Sequence, residues 1–167
     1  MQNTTQAYET VLVEFPNAGW HKVFYQKRDH QVIGQYLPSG QSRDNYIESM
    51  VFHSYKGEKN RRVTALYMLE YHIGQAMYRY NDMQLTYIKN DPNDAIAIWC
   101  SERASQCEIV RSTQGFEGVI TMHYINKNPQ YFQNICFQWL NIVRGIKLYY
   151  SYYRWDVIMN KANTIEL

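Results

Sequence analysis

The stretch that most constrains this chain runs from Gln106 to Lys147, QCEIVRSTQGFEGVITMHYINKNPQYFQNICFQWLNIVRGIK. Its apolar residues change period partway along. Gln106–Ser112 and Gly118–Asn126 have the dense, β-branched character of strands, and Gly115 and Gly118 bracket the turn between them. Beyond Asn128-Pro129 the period lengthens. Phe132, Ile135, Cys136, Trp139, Leu140, Val143 and Ile146 or Lys147 recur every three or four residues, which makes one broad helix face. Pro129 falls in the first turn, where its missing N–H does no harm. At roughly 25 cal/mol per Å2 of apolar area, burying that face contributes on the order of 10 kcal/mol in gross terms, comparable to the net stability of a whole domain. The stretch therefore predicts a scaffold of hairpin edge, central strand and main helix. It contains no catalytic motif.

The rest of the chain reads as elements that complete such a scaffold. Residues 1–9 are expected to be a flexible N-terminal segment and 10–167 a single α/β domain, as suits 167 residues that are 46% hydrophobic. Thr10–Phe15, Trp20–Lys27 and Gln31–Leu37 read as strands of an N-terminal antiparallel meander, and Ser42–Tyr46 as a helical turn. Ile47–Tyr55 fits a strand slightly better than a helix. Val63–Tyr80 reads as a helix with an apolar stripe of Val63, Leu66, Leu69 or Glu70, Ile73 and Met77, and a close approach to a neighbour would explain Gly74 in its interior. Gln84–Lys89 and the nearly all-apolar Ala95–Cys100 precede the opening stretch as further strands. The expected fold class is α+β, an antiparallel β-sheet packed against two main helices.

Several functions have no support in the residues. A net charge of +2 does not argue for nucleic-acid binding. No apolar run is long enough for a membrane-spanning helix. There is no P-loop, no G-x-G-x-x-G, no G-x-S-x-G and no H-E-x-x-H, and nothing nominates a cofactor or a metal. The opening residues lack the basic region and apolar core of a signal peptide, so the chain is either cytoplasmic or a mature exported one; the polar lead QNTTQ favours the latter, in the periplasm or at the outer membrane.

Three features carry chemistry. Cys100 and Cys107 lie near facing ends of two strands expected to pair as a hairpin, so their sulfurs could meet in an oxidising compartment; two reduced structural cysteines are the alternative. Of the five histidines, His53 and His123 lie on strands and could approach each other, but a site needs a third ligand or an acid that the sequence does not place. Structural hydrogen bonding is therefore the expected role of each. The segment after Lys147 packs Tyr149, Tyr150, Tyr152, Tyr153, Arg154 and Trp155 close together. These six are the candidate partner-binding residues, with packing on the domain's own sheet as the equal alternative.

Certain phrases carry a resemblance. They are Tyr36–Gln41, Asp44–Met50, Glu108–Arg111, His123–Lys127 and Trp139-Leu140, and they resemble small exported proteins of Legionella-like bacteria. Such proteins look like the PsbP-like α/β/α sandwich, a fold shared by an extrinsic photosystem subunit and a Ran-binding import factor. Tyr46 stands where that pattern leads one to expect Trp. The resemblance implies a non-enzymatic interaction or structural subunit of a bacterial cell-envelope assembly, an accessory of a type IV (Dot/Icm-like) secretion core at the outer membrane, with other protein subunits as partners and no cofactor. Two competing classes remain. One is a small hydrolase whose site is assembled from residues distant in sequence, and it requires a concave pocket with convergent ionisable groups. The other is a secreted effector that binds a host protein.

Overall fold

The computed structural model describes residues 8–57, 60, 62–151 and 164–166. It is a mixed α+β fold. Its strands are β1 (Tyr8–Leu12), β2 (His21–Arg28), β3 (Gln31–Leu37), β4 (Glu48–Lys56), β5 (Gln84–Asp91), β6 (Asp94–Ser101), β7 (Gln106–Gln114), β8 (Gly118–Asn126), β9 (Lys147–Ser151) and β10 (Thr164–Glu166), and its helices are α1 (Ala65–Arg79) and α2 (Pro129–Gly145). Seven strands form one antiparallel sheet in the order β2-β3-β4-β8-β7-β6-β5. Two meanders, β2–β4 and β5–β8, thus join along β4 and β8, where Val51 faces His123 and His53 faces Thr121. Only glycine fits at position 118, because a Cβ there would collide with the Tyr55 carbonyl of β4.

Alternation along the strands sends two sets of side chains to opposite faces. Ile96, Cys107, Ile109, Ile120, Met122 and Tyr124 belong to one core, with Phe132, Trp139, Leu140 and Val143 of α2. Ala95, Ala97, Trp99 and Val110 belong to another, with Leu69 and Ile73 of α1. The helices therefore cover opposite faces of the same sheet. On the α2 face the rings of Tyr124 and Trp139 stack at 3.8 Å, Trp139 meets Trp20 edge-on at 5.3 Å, and Trp20 stacks on Phe15 at 4.8 Å. Arg111 of β7 closes the end of α2. Its Nη1 donates to the carbonyls of Val143, Arg144 and Ile146, and its Nε donates to Asp94 at 2.8 Å. Burial alone would raise the Asp94 carboxyl, but Arg111 and Lys89 hold it below the usual carboxylate range.

The second sheet has the order β10-β1-β9. It corrects the expected N-terminal meander: β1 pairs with β9 and β10, not with β2. Tyr8 and Glu9, expected in the flexible lead, belong to β1. Glu9 is buried, and its Oε1 accepts from the Phe116 N–H at 2.9 Å. Ser42–Tyr46 forms a tight turn closed by a Ser42–Asn45 bridge rather than a helical turn. Ile47–Tyr55 resolves to strand β4. In α1 the buried set is Ala65, Met68, Leu69 and Ile73, whereas Met77 is 56% exposed. The buried stripe is thus rotated from the expected one, and nothing crowds Gly74.

Candidate functional site

α1 leaves the β4 end of the sheet and crosses β8, β7 and β6 to deliver the chain to β5. Thr64 starts it, accepting the Tyr67 N–H at its N-cap. The crossing leaves the β3–β4 side of that face uncovered, and a cleft of about 660 Å3 lies there beside the helix. Its walls include Tyr67, Tyr71, His72 and Gln75 from α1, Gln31 and Ile33 from β3, His53 and Tyr55 from β4, and His123 from β8. Trp99, Gln106 and Glu108 line its far end.

Three imidazoles meet in this cleft. Ring centroids lie 4.8 Å apart for His72 and His123, 5.3 Å for His53 and His72, and 5.5 Å for His53 and His123. His53 and His123 come together as the sequence allowed. The two groups it did not place are His72, from α1, and Glu108, from β7. Strand parity is the signal that could have found Glu108. In the β7–β8 ladder Val110 faces His123 and Glu108 faces Ile125, so Glu108 and His123 are diagonal neighbours on one face.

Each polar group of the cluster has a definite role. Glu108 Oε2 lies 3.2 Å from His123 Nδ1, with both side chains only 11% exposed. The other carboxylate oxygen, Oε1, accepts from Gln106 Nε2 at 2.7 Å. A carboxylate beside Nδ1 selects the tautomer with its proton there and leaves a lone pair on Nε2. That Nε2 is buried and has no hydrogen-bond partner among the described residues. Tyr55 Oη lies 2.9 Å from His72 Nε2. Burial first, and the neighbouring imidazoles second, push His53 down to about 3 and His72 down to about 2, while burial pushes the Tyr55 phenol up to about 12. At neutral pH His53, His72 and Tyr55 are therefore uncharged donors and acceptors. Burial likewise raises the phenol of Tyr46, with the charges of Glu108 and Tyr80 adding to the shift.

Among the described residues, no three His, Cys, Asp or Glu side chains are arranged to hold a metal ion. Among the described residues the cleft walls carry no Ser, Thr or Cys.

The other sequence candidates lie elsewhere. Cys100 and Cys107 face each other across β6 and β7 with Cα atoms 4.1 Å apart and are joined by a disulfide on the α2 face. Cys136 is half-buried on α2, and burial raises its thiol. Tyr149 and Tyr150 lie on β9, paired with Thr10 and Glu9. Tyr152, Tyr153, Arg154 and Trp155 fall outside the described residues. No helix among the described residues is long and apolar enough to cross a membrane.

Compared with known proteins, the chain matches no family model and no curated sequence.

Proposed function

We propose that the cleft beside α1 binds a small organic molecule and that His123, oriented by Glu108, acts on it as a general base. The chain is then a small enzyme of the hydrolytic type, with its site assembled from β4, α1, β7 and β8. One observation carries this reading: His123 Nε2 is buried and has no partner among the described residues, while its Nδ1 is held by a carboxylate. An orphaned buried acceptor costs about 1–3 kcal/mol, a cost removed when a bound O–H donates to it. With no Ser, Thr or Cys among the described lining residues, the base acts directly on water. The Cys100–Cys107 bond supports an exported location, since oxidising compartments maintain such bonds. The test is hydrolysis of a panel of chromogenic carboxylic and phosphoric esters by the intact protein. Activity should fall about 100-fold or more in His123→Asn and be unchanged in Tyr78→Ala, which lies outside the cleft lining. Undiminished hydrolysis in His123→Asn would contradict the assignment.

A role as an envelope-assembly subunit is the second reading, and one observation favours it. Among the described strands β9 is an edge strand, paired only with β1, and it carries Tyr149 and Tyr150. An exposed edge is a template for a partner's strand. Substituting Pro at Tyr149 should abolish co-purification with a membrane complex on this reading and leave ester hydrolysis intact on the first.

A further inference from the structure

We propose that the ligand of the cleft is an uncharged carbohydrate chain. This rests on reading the cleft as the working site, and it goes further by naming what lies in it. Along the α1 wall Tyr67 and Tyr71, one helical turn apart, are 58% and 50% exposed and line the opening. At the far end Tyr80 stacks on the buried Trp99 with centroids 5.6 Å apart. Between and opposite these rings stand amides. Gln31 and Gln75 have side chains with no partner among the described residues, and Gln106 spends only its Nε2, on Glu108.

Three classes of ligand fit these walls poorly. An apolar molecule would strip water from the amides of Gln31 and Gln75 and offer them nothing in return. An anionic or phosphorylated molecule needs several cations together, whereas among the described lining residues the cleft has Arg79, at the exposed end of α1, and its extension has Arg28 on β2, at the other end. A cationic molecule needs a spare carboxylate, and the only one among the described lining residues, Glu108, is held by His123 and Gln106. A sugar matches all the walls at once. Its C–H faces lie against aromatic rings, and each hydroxyl both donates and accepts, as a Gln amide does. One such hydroxyl supplies the donor that His123 Nε2 lacks.

The cleft also continues. A second depression of about 70 Å3 shares Gln31 and Ile33 with it and adds Gln26 and Arg28 on β2. A track from Tyr80 past His123 and out across β3 to β2 suits an oligosaccharide laid lengthwise better than a compact monosaccharide. Glycosidic cleavage in the usual way uses two flanking carboxylates; the described lining residues include one, Glu108, beside the His123 base.

The experiment is an NMR titration of the intact protein at neutral pH, following the His123 ring and the side-chain amides of Gln31 and Gln75. The probes are maltohexaose, cellohexaose and chitohexaose, set against ATP, a polyuronate and octanoate. At least one neutral hexasaccharide is expected to move all three signals, and Gln31→Ala and Gln75→Ala, both at the surface, should each weaken its binding by about 3- to 10-fold, as the loss of one hydrogen bond implies. Movement of His123 by ATP, the polyuronate or octanoate and by none of the saccharides would overturn the carbohydrate assignment and leave the cleft as the site. No movement of His123 with any of the six would overturn both.

Discussion

Glu108 and His123 meet at 3.2 Å across β7 and β8 without facing each other in the ladder, for Glu108 stands opposite Ile125 and His123 opposite Val110. The contact is diagonal and depends on β7 and β8 holding register. Removing the carboxylate should strand the Nδ1 proton in a buried site. Glu108→Ala is therefore expected to lower unfolding stability by about 1–3 kcal/mol, and Glu108→Gln, which keeps an acceptor, by clearly less. Urea unfolding of the two variants checks the order; equal losses would remove the hydrogen bond from the account.

The histidine cluster makes stability depend on pH with a definite sign. His53 and His72 titrate near 3 and 2 in the folded chain and near 6.5 when unfolded. Above about 6.5 neither state binds the proton. Between about 6.5 and 3 the unfolded chain binds it and the folded chain does not, so stability falls as the pH drops through that window. His53→Phe should flatten the fall. Urea midpoints measured from pH 7 to 4 that show no dependence on residue 53 would contradict the buried, neutral cluster.

Arg111 joins three carbonyls at the end of α2 to Asp94, through a side chain only 11% exposed. A lysine cannot reproduce that planar fork. Arg111→Lys, which keeps a charge beside Asp94 but loses donors to the carbonyls, should cost about 1–3 kcal/mol and should loosen the end of α2. A fluorescence-monitored unfolding curve like that of the parent would show that α2 is held by its apolar face alone.

Much of the scaffold was legible in the sequence. β7, β8 and α2 follow from the change of period between Gln106 and Lys147, because there the apolar residues fit one period and no other. α1 was legible as a helix but not in its phase. Leu66, Tyr67, Met68, Leu69, Ile73 and Met77 are apolar nearly all round it, so composition alone does not say that Met68 is buried and Met77 exposed. That ambiguity hid the candidate site, since His72 could be placed beside His53 and His123 only once the buried face was known. The pairing of β1 with β9 was not legible either. Tyr8 and Ser151 are brought together by the whole intervening fold, and no local pattern encodes that.

Reducing the Cys100–Cys107 bond should add two protons to the intact mass and lower stability by about 2–3 kcal/mol, the loop-entropy value for so short a loop. Cys100→Ala paired with Cys107→Ala should match the reduced protein. A parent mass unchanged by reductant would show that the thiols are not joined in the isolated chain.

The central claim is that Glu108 holds the proton of His123 on Nδ1 and leaves Nε2 as a base in the cleft. The most direct test is a long-range proton–nitrogen correlation spectrum of the histidine rings at neutral pH. The expected result is a neutral His123 with a protonated Nδ1 and an Nε2 shifted as an unprotonated acceptor, its tautomer preference lost in Glu108→Ala. A His123 carrying its proton on Nε2, with no response to Glu108→Ala, would contradict the account.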